Sequence, residues 1–122
     1  MDRLSNWIEI PVNDLPKARA FYEKILQVEL ATMDIGPIKY ALFPTEDRFN
    51  AGALAQGDGY VPSTTGITVY LDGRSGIDQI LGRVVQAGGQ ILLPKTYLSP
   101  EAGYIGFFLD TEGNKIGLQA ME

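Results

Sequence analysis

At 122 residues, with 45% hydrophobic and 20% charged side chains, the chain has the size and make-up of one domain that buries ~65–70% of its unfolded surface without cross-links. The absence of cysteine rules out disulfides and thiolate chemistry, and the absence of histidine removes the commonest general base and transition-metal ligand. A net charge of −5 with scattered basic residues repels phosphate backbones, so no nucleic-acid partner is expected.

Residues 6–12 alternate as a strand, with Ile8, Ile10 and Val12 on one side and Trp7, Glu9 and Pro11 on the other. Asn13 and Asp14 offer an N-cap, Pro16 suits a first turn, and Leu15, Ala18, Phe21, Tyr22, Ile25 and Leu26 form one stripe. This pattern predicts a helix over 15–27 with Tyr22 in the core. Strands follow near 28–33, 37–43 and 51–56, separated by Gly36-Pro37 and by the polar stretch 45–50. Residues 56–65 are rich in turn formers and read as a joint.

The plan then repeats. A strand is expected over 66–71, and Ser75 to Asp78 resembles a capping box. Ile77, Ile80, Leu81, Val84 and Val85 make a helical face that ends at Gly88-Gly89. Strands near 90–93, 104–109 and 115–120 complete the half, the last two as a hairpin around 110–114. The segment 93–103, with Pro94 and Pro100, is expected to be a long connection, either a lid offering Tyr97 and Lys95 or a plain crossover. Laying residues 7–12 on 66–71, and 51–53 on 116–118, points to a duplication. The expected architecture is α+β, one domain of two βαβββ modules (about 1–58 and 64–122) whose curved mixed sheets enclose a central cavity. No apolar run approaches the ~20 residues of a membrane span, and the opening residues lack a signal-like apolar stretch. A cytoplasmic protein without a membrane partner is expected.

The stretch from Ile8 to Leu15 running into Ala20-Phe-Tyr-Glu-Lys24, and the stretch from Gly106 to Leu118, resemble the vicinal oxygen chelate superfamily of glyoxalase I, bleomycin-resistance proteins and extradiol dioxygenases. In the second stretch Thr111 stands where the family's closing turn usually has proline. The resemblance implies the fold just described and, commonly, a homodimer. It also implies that metal-dependent relatives place a ligand on the first strand of each half, often histidine, and one on the last, often glutamate. Here those positions fall on Trp7, Gly66, Gly52 and Gly117, none of which offers a side-chain donor. No metal and no cofactor are therefore expected, although an oxygen-only magnesium or manganese site stays open.

Strand alternation then groups Trp7, Glu9, Gly52, Leu54, Gln56, Gly66, Thr68, Tyr70, Gly117 and Gln119 on the concave face. Ile8, Ile10, Val12, Ile67, Val69, Leu71, Ile116 and Leu118 are expected to meet the helices. Three glycines around an indole leave room for a small planar or hydrophobic molecule, with Tyr70 and Gln119 orienting it. The bland readings are that Trp7 plugs a seam and that the glycines mark close backbone approach. Glu9 is the candidate general base if walled off from water, or else a structural partner for Lys39, Lys115 or a hydroxyl. The expected function is metal-independent small-molecule binding. The alternative is an enzyme of the same family, a lyase, isomerase or dioxygenase-like protein, that uses Glu9 or an oxygen-ligated metal.

Overall fold

The computed structural model describes residues 1–46 and 51–122. The polar separator predicted over 45–50 therefore lies mostly outside the described residues. Elements run β1 (Trp7–Pro11), α1 (Leu15–Leu26), β2 (Ala31–Ile35), β3 (Ile38–Leu42), β4 (Ala51–Gln56), then β5 (Tyr70–Asp72), α2 (Ile77–Gln86), β6 (Gln90–Ser99), β7 (Gly103–Leu109) and β8 (Lys115–Ala120). The strands form two four-stranded open sheets, ordered β1-β4-β3-β2 and β5-β8-β7-β6. In each, the first strand pairs parallel to the last and the others are antiparallel. Two βαβββ units with one strand order are the α+β architecture expected from the repeat.

The local chemistry of α1 is as read from its residues. Asp14 Oδ1 accepts from Lys17 N at 3.2 Å, Pro16 needs no donor in the first turn, and Gln27 closes the helix in the left-handed region at φ 57°. Its stripe of Leu15, Ala18, Phe21, Tyr22 and Ile25 is buried. In α2, Ile77, Ile80, Leu81 and Val84 are buried but Val85 is 56% exposed. The capping box does not form: Gly76 is the N-cap at φ 125°, without a side-chain cap. A side chain rarely adopts that φ, so the turn is set by backbone freedom rather than by Ser75.

Both helices pack in one core. Phe21 and Tyr22 lie 6.0 and 6.4 Å from the Phe108 ring, and Arg83 Nε donates to Ile25 O at 2.9 Å. The hairpin turn between β7 and β8 supplies the polar tie between the units. Its buried Asp110 accepts from Tyr22 Oη at 2.6 Å, Asn114 Nδ2 donates to Pro11 O at 2.7 Å, and Asn114 Oδ1 accepts from Ser63 N at 3.0 Å. Glu112 Oε1 accepts from the backbone N–H groups of Asn13 and Asp14 at the start of α1.

Two expectations in the second half are corrected. The strand predicted over 66–71 begins at Tyr70, because Gly66 turns the chain at φ 98° and leaves Ile67 93% exposed; only a bond from Gly117 N to Val69 O extends the ladder. The segment 93–103 is mostly strand: β6 continues to Ser99, bulged between Ile91 and Leu93, Leu93 and Thr96, and Tyr97 and Ser99. Pro94 is tolerated because β6 is an edge strand, where a missing N–H costs no ladder bond. No helix among the described residues is long and apolar enough to cross a membrane.

Candidate functional site

Strand register decides which side chains share a face. In β1 and β4, Trp7 lies beside Ala51 and Glu9 beside Ala53, while Ile8 lies beside Gly52 and Ile10 beside Leu54. Ile10 and Leu54 belong to the helix-packed core, so Trp7, Glu9, Ala51 and Ala53 occupy the opposite face, on which Ala53 is itself buried. Gly52, Leu54 and Gln56 are thus corrected from the concave face to the helix side. Leu54 is fully buried, and Gln56 Oε1 accepts from Leu15 N at 2.7 Å to help start α1. In the second sheet Tyr70 pairs with Gly117 and Asp72 with Gln119, opposite to core-facing Leu118. Here the expected grouping of Tyr70, Gly117 and Gln119 matches the register.

The glycines do not leave a shared vacancy. A Cβ at Gly52 would sit 2.3 Å from Ile8 O, and one at Gly117 would sit 2.6 Å from the Tyr70 ring. The first position is closed by backbone, the second by an aromatic side chain. Gly66 has nothing within 4 Å, in an exposed turn. Thr68 is also exposed and outside the strand. Tyr97 lies on edge strand β6, ring to ring with Tyr104 at 5.4 Å, at the opposite edge of the sheet from β5. It is no lid. Gln119 Nε2 is tied to Ala102 O at 2.7 Å.

What the fold does assemble is a cleft of about 400 Å³ at the seam between the sheets. Trp7, Glu9 and Pro11 line it from β1, and Val69, Asn114 and Lys115 from the second unit. Trp7 is 45% exposed, yet its Nε1 donates to Glu9 Oε2 at 3.2 Å, which fixes the indole. Glu9 Oε1 accepts from Tyr60 Oη at 2.6 Å. Of the alternatives for Glu9, the hydroxyl partner is the one present, joined by the indole. Both oxygens already accept, so Glu9 orients Trp7 and Tyr60 before it serves a substrate. Asn114 is engaged with Pro11, Asp110 and Ser63. Lys115 Nζ lies 4.4 Å from the Phe107 ring centroid.

Sequence reasoning missed Tyr60, whose partner lies 51 residues away. The joint that carries it shows only turn chemistry, and no periodicity announces a fold-back. Its hydrogen bond to Glu9, then a second to Tyr40, raises the phenol above its ordinary range. Tyr60→Phe is therefore expected to remove a late-ionising component from a spectrophotometric alkaline titration and to change Trp7 emission, since Glu9 loses a donor. An unaltered titration would contradict the contact.

Behind β1 a second cleft of about 380 Å³ is lined by Ile8, Ile10, Leu26, Val28 and Phe43. Its charged lining residue among those described, Asp72, is paired with Arg74 at 2.7 Å.

The resemblance read from the sequence implies metal-ligand positions whose residues here do not fit a metal. Trp7, Gly66, Gly52 and Gly117 carry no ligating side chain. Glu9 is already hydrogen-bonded twice, and the described residues bring no three Asp or Glu side chains together.

A family model described as "Glyoxalase/Bleomycin resistance protein/Dioxygenase superfamily" matches residues 4–118. Among solved structures, a glyoxalase/bleomycin resistance protein/dioxygenase family enzyme from Burkholderia phytofirmans PsJN superposes with a TM-score of 0.71 at 13% identity, covering 96% of this chain and 98% of that one. A glyoxalase-related enzyme from Fulvimarina pelagi gives 0.65 at 20% identity, covering 98% and 88%. A glyoxalase I mutant from Zea mays gives 0.67 at 23% identity over 93% of this chain, which spans only 45% of the maize protein. At such identities the likeness establishes the fold alone. No curated protein sequence matches the chain.

Proposed function

The chain belongs to the glyoxalase/bleomycin resistance protein/dioxygenase superfamily, and on that premise we propose that it binds a small planar, aromatic or hydrophobic molecule without a metal, as a cytoplasmic homodimer. The observation that carries this reading is the half-exposed Trp7 indole, held in one orientation by Glu9 on the wall of the seam cleft. A large rigid ring left half in water and fixed by a hydrogen bond is a stacking platform made in advance, so little ordering cost remains when a flat ligand arrives. The poor donor set supports metal independence. The exposed Ile67 and Val61, at 93% and 74%, line the same cleft and add apolar surface for such a molecule.

Trp7 is the sole tryptophan, so its emission reports on the cleft directly. Saturable quenching by a subset of flat aromatic compounds is expected, unchanged after dialysis against a chelator. In calorimetry Trp7→Ala is expected to weaken that binding about tenfold, the worth of one ring stack, with the melting temperature retained. A stoichiometric divalent ion in the purified protein would overturn metal independence. A folded protein that binds no compound class would overturn the reading itself.

A further inference from the structure

Resting on that reading of the cleft, we infer that its ligand carries a carboxylate, received by Lys115. The two charged residues that line the cleft, Glu9 and Lys115, are in opposite conditions. Glu9 is satisfied: one oxygen accepts from Tyr60, the other from Trp7. Lys115 has no carboxylate partner among the described residues, and its Nζ lies over the face of Phe107, whose ring is 5.5 Å from Tyr70. An aromatic face attracts an ammonium group and fixes its position, but it neither neutralises the charge nor satisfies three N–H donors.

Other polar groups in the lining are weaker partners for an anion. The Asn114 amide is spent on Pro11, Asp110 and Ser63, and the Ser63–Thr65 hydroxyl pair, at 3.0 Å, uses one O–H and leaves one neutral donor. Lys115 is therefore the charged donor left unused among the lining residues. Stacking on Trp7 at one wall and an ion pair to Lys115 at the other describe a flat ring bearing an acid group. A phosphate ester is a poorer match, because the lining has neither a second cation nor a forked guanidinium to balance a dianion. The protein's net charge of −5 opposes anion binding in general, so any preference for an acid must come from a local group.

The test compares 2-naphthoate with 2-naphthamide, matched in shape, by calorimetry on the full chain at low salt. The wild type is expected to bind the acid about tenfold more tightly than the amide, as a charge-assisted contact exceeds a neutral one, with the gap narrowing as salt is added. Lys115→Met should bring the two affinities together, and Lys115→Arg should keep them apart. If the wild type binds the amide as well as the acid, the carboxylate inference falls while the binding cleft stands. If the preference survives in Lys115→Met, the assignment to Lys115 falls. If neither compound, nor any other flat ring, binds the folded protein, the cleft reading fails and takes this inference with it.

Discussion

Asp110→Asn is expected to lower the unfolding free energy by about 3 kcal/mol, because one acceptor is asked to do the work of two. Asp110 Oδ1 accepts from Glu112 N at 2.8 Å and Asn114 N at 2.9 Å, and Oδ2 accepts from Tyr22 Oη at 2.6 Å and Asn114 Nδ2 at 3.1 Å. The carboxylate is only 4% exposed, so water cannot replace a lost partner. In asparagine one oxygen becomes an NH2 donor. Either amide orientation then points donor at donor, and a buried N–H or phenol goes unpaired.

The damage would not stay in the turn, since the same turn holds Pro11 through Asn114 and the start of α1 through Glu112. Tyr22→Phe deletes one of the four contacts and should cost less, about 1–2 kcal/mol. Urea unfolding of both variants measures the order, and Asp110→Asn within ~0.5 kcal/mol of wild type would show that the network does not hold the units.

The same pair gives the protein an alkaline limit. Burial, followed by the Asp110 charge, holds the Tyr22 phenol well above its ordinary 10.0. A raised phenol contributes stability that is complete below the unfolded value and drains away as pH rises through it toward the folded one. Stability should therefore fall above pH 10.0, and Tyr22→Phe should make that slope shallower, leaving the part contributed by Tyr60.

How much of this was legible follows from where the sequence alternates. Helix α1, the helical face of α2 and the closing hairpin announce themselves through strong periodicity and turn residues, and they stand where expected. Strand β4 has no such signal. Ala51, Gly52, Ala53, Leu54 and Ala55 are small or apolar at every position, because the strand lies between β1 and β3 and four of its residues are buried, on both faces. Nothing in its residues fixes the parity. Laying residues 51–53 on 116–118 is therefore one residue out of register, which puts Leu54 and Gln56 on the wrong side.

Contacts that depend on fold-back, Tyr60 on Glu9 and Ser63 on Asn114, leave no local trace because each joins residues 51 apart. Trp7 and Glu9 are legible together because strand alternation alone places them on one face, where a hydrogen bond joins them.

Gly52 borders the second cleft, and were it a vacated ligand position whose side chain pointed into open space, a side chain there would be accommodated. The structure predicts instead that Gly52→Ala costs about 3 kcal/mol, since its Cβ would meet Ile8 O at 2.3 Å and Ile8 C at 3.1 Å. Those atoms are backbone of β1, which cannot rotate aside. Relief requires β1 to draw away from β4 along a parallel ladder that runs from Trp7 to Pro11, and the lost bonds add to the strain.

Gly66→Ala is the control. It meets nothing within 4 Å, and its burden is the positive φ of 98°, worth about 1 kcal/mol. Because β1 carries Trp7 and Glu9, the Gly52 variant should also disturb Trp7 emission in the folded state, whereas the Gly66 variant should leave it unchanged. Equal stabilities for the two variants would mean that β1 and β4 are not as closely apposed as described, and Gly52 would return to the open face.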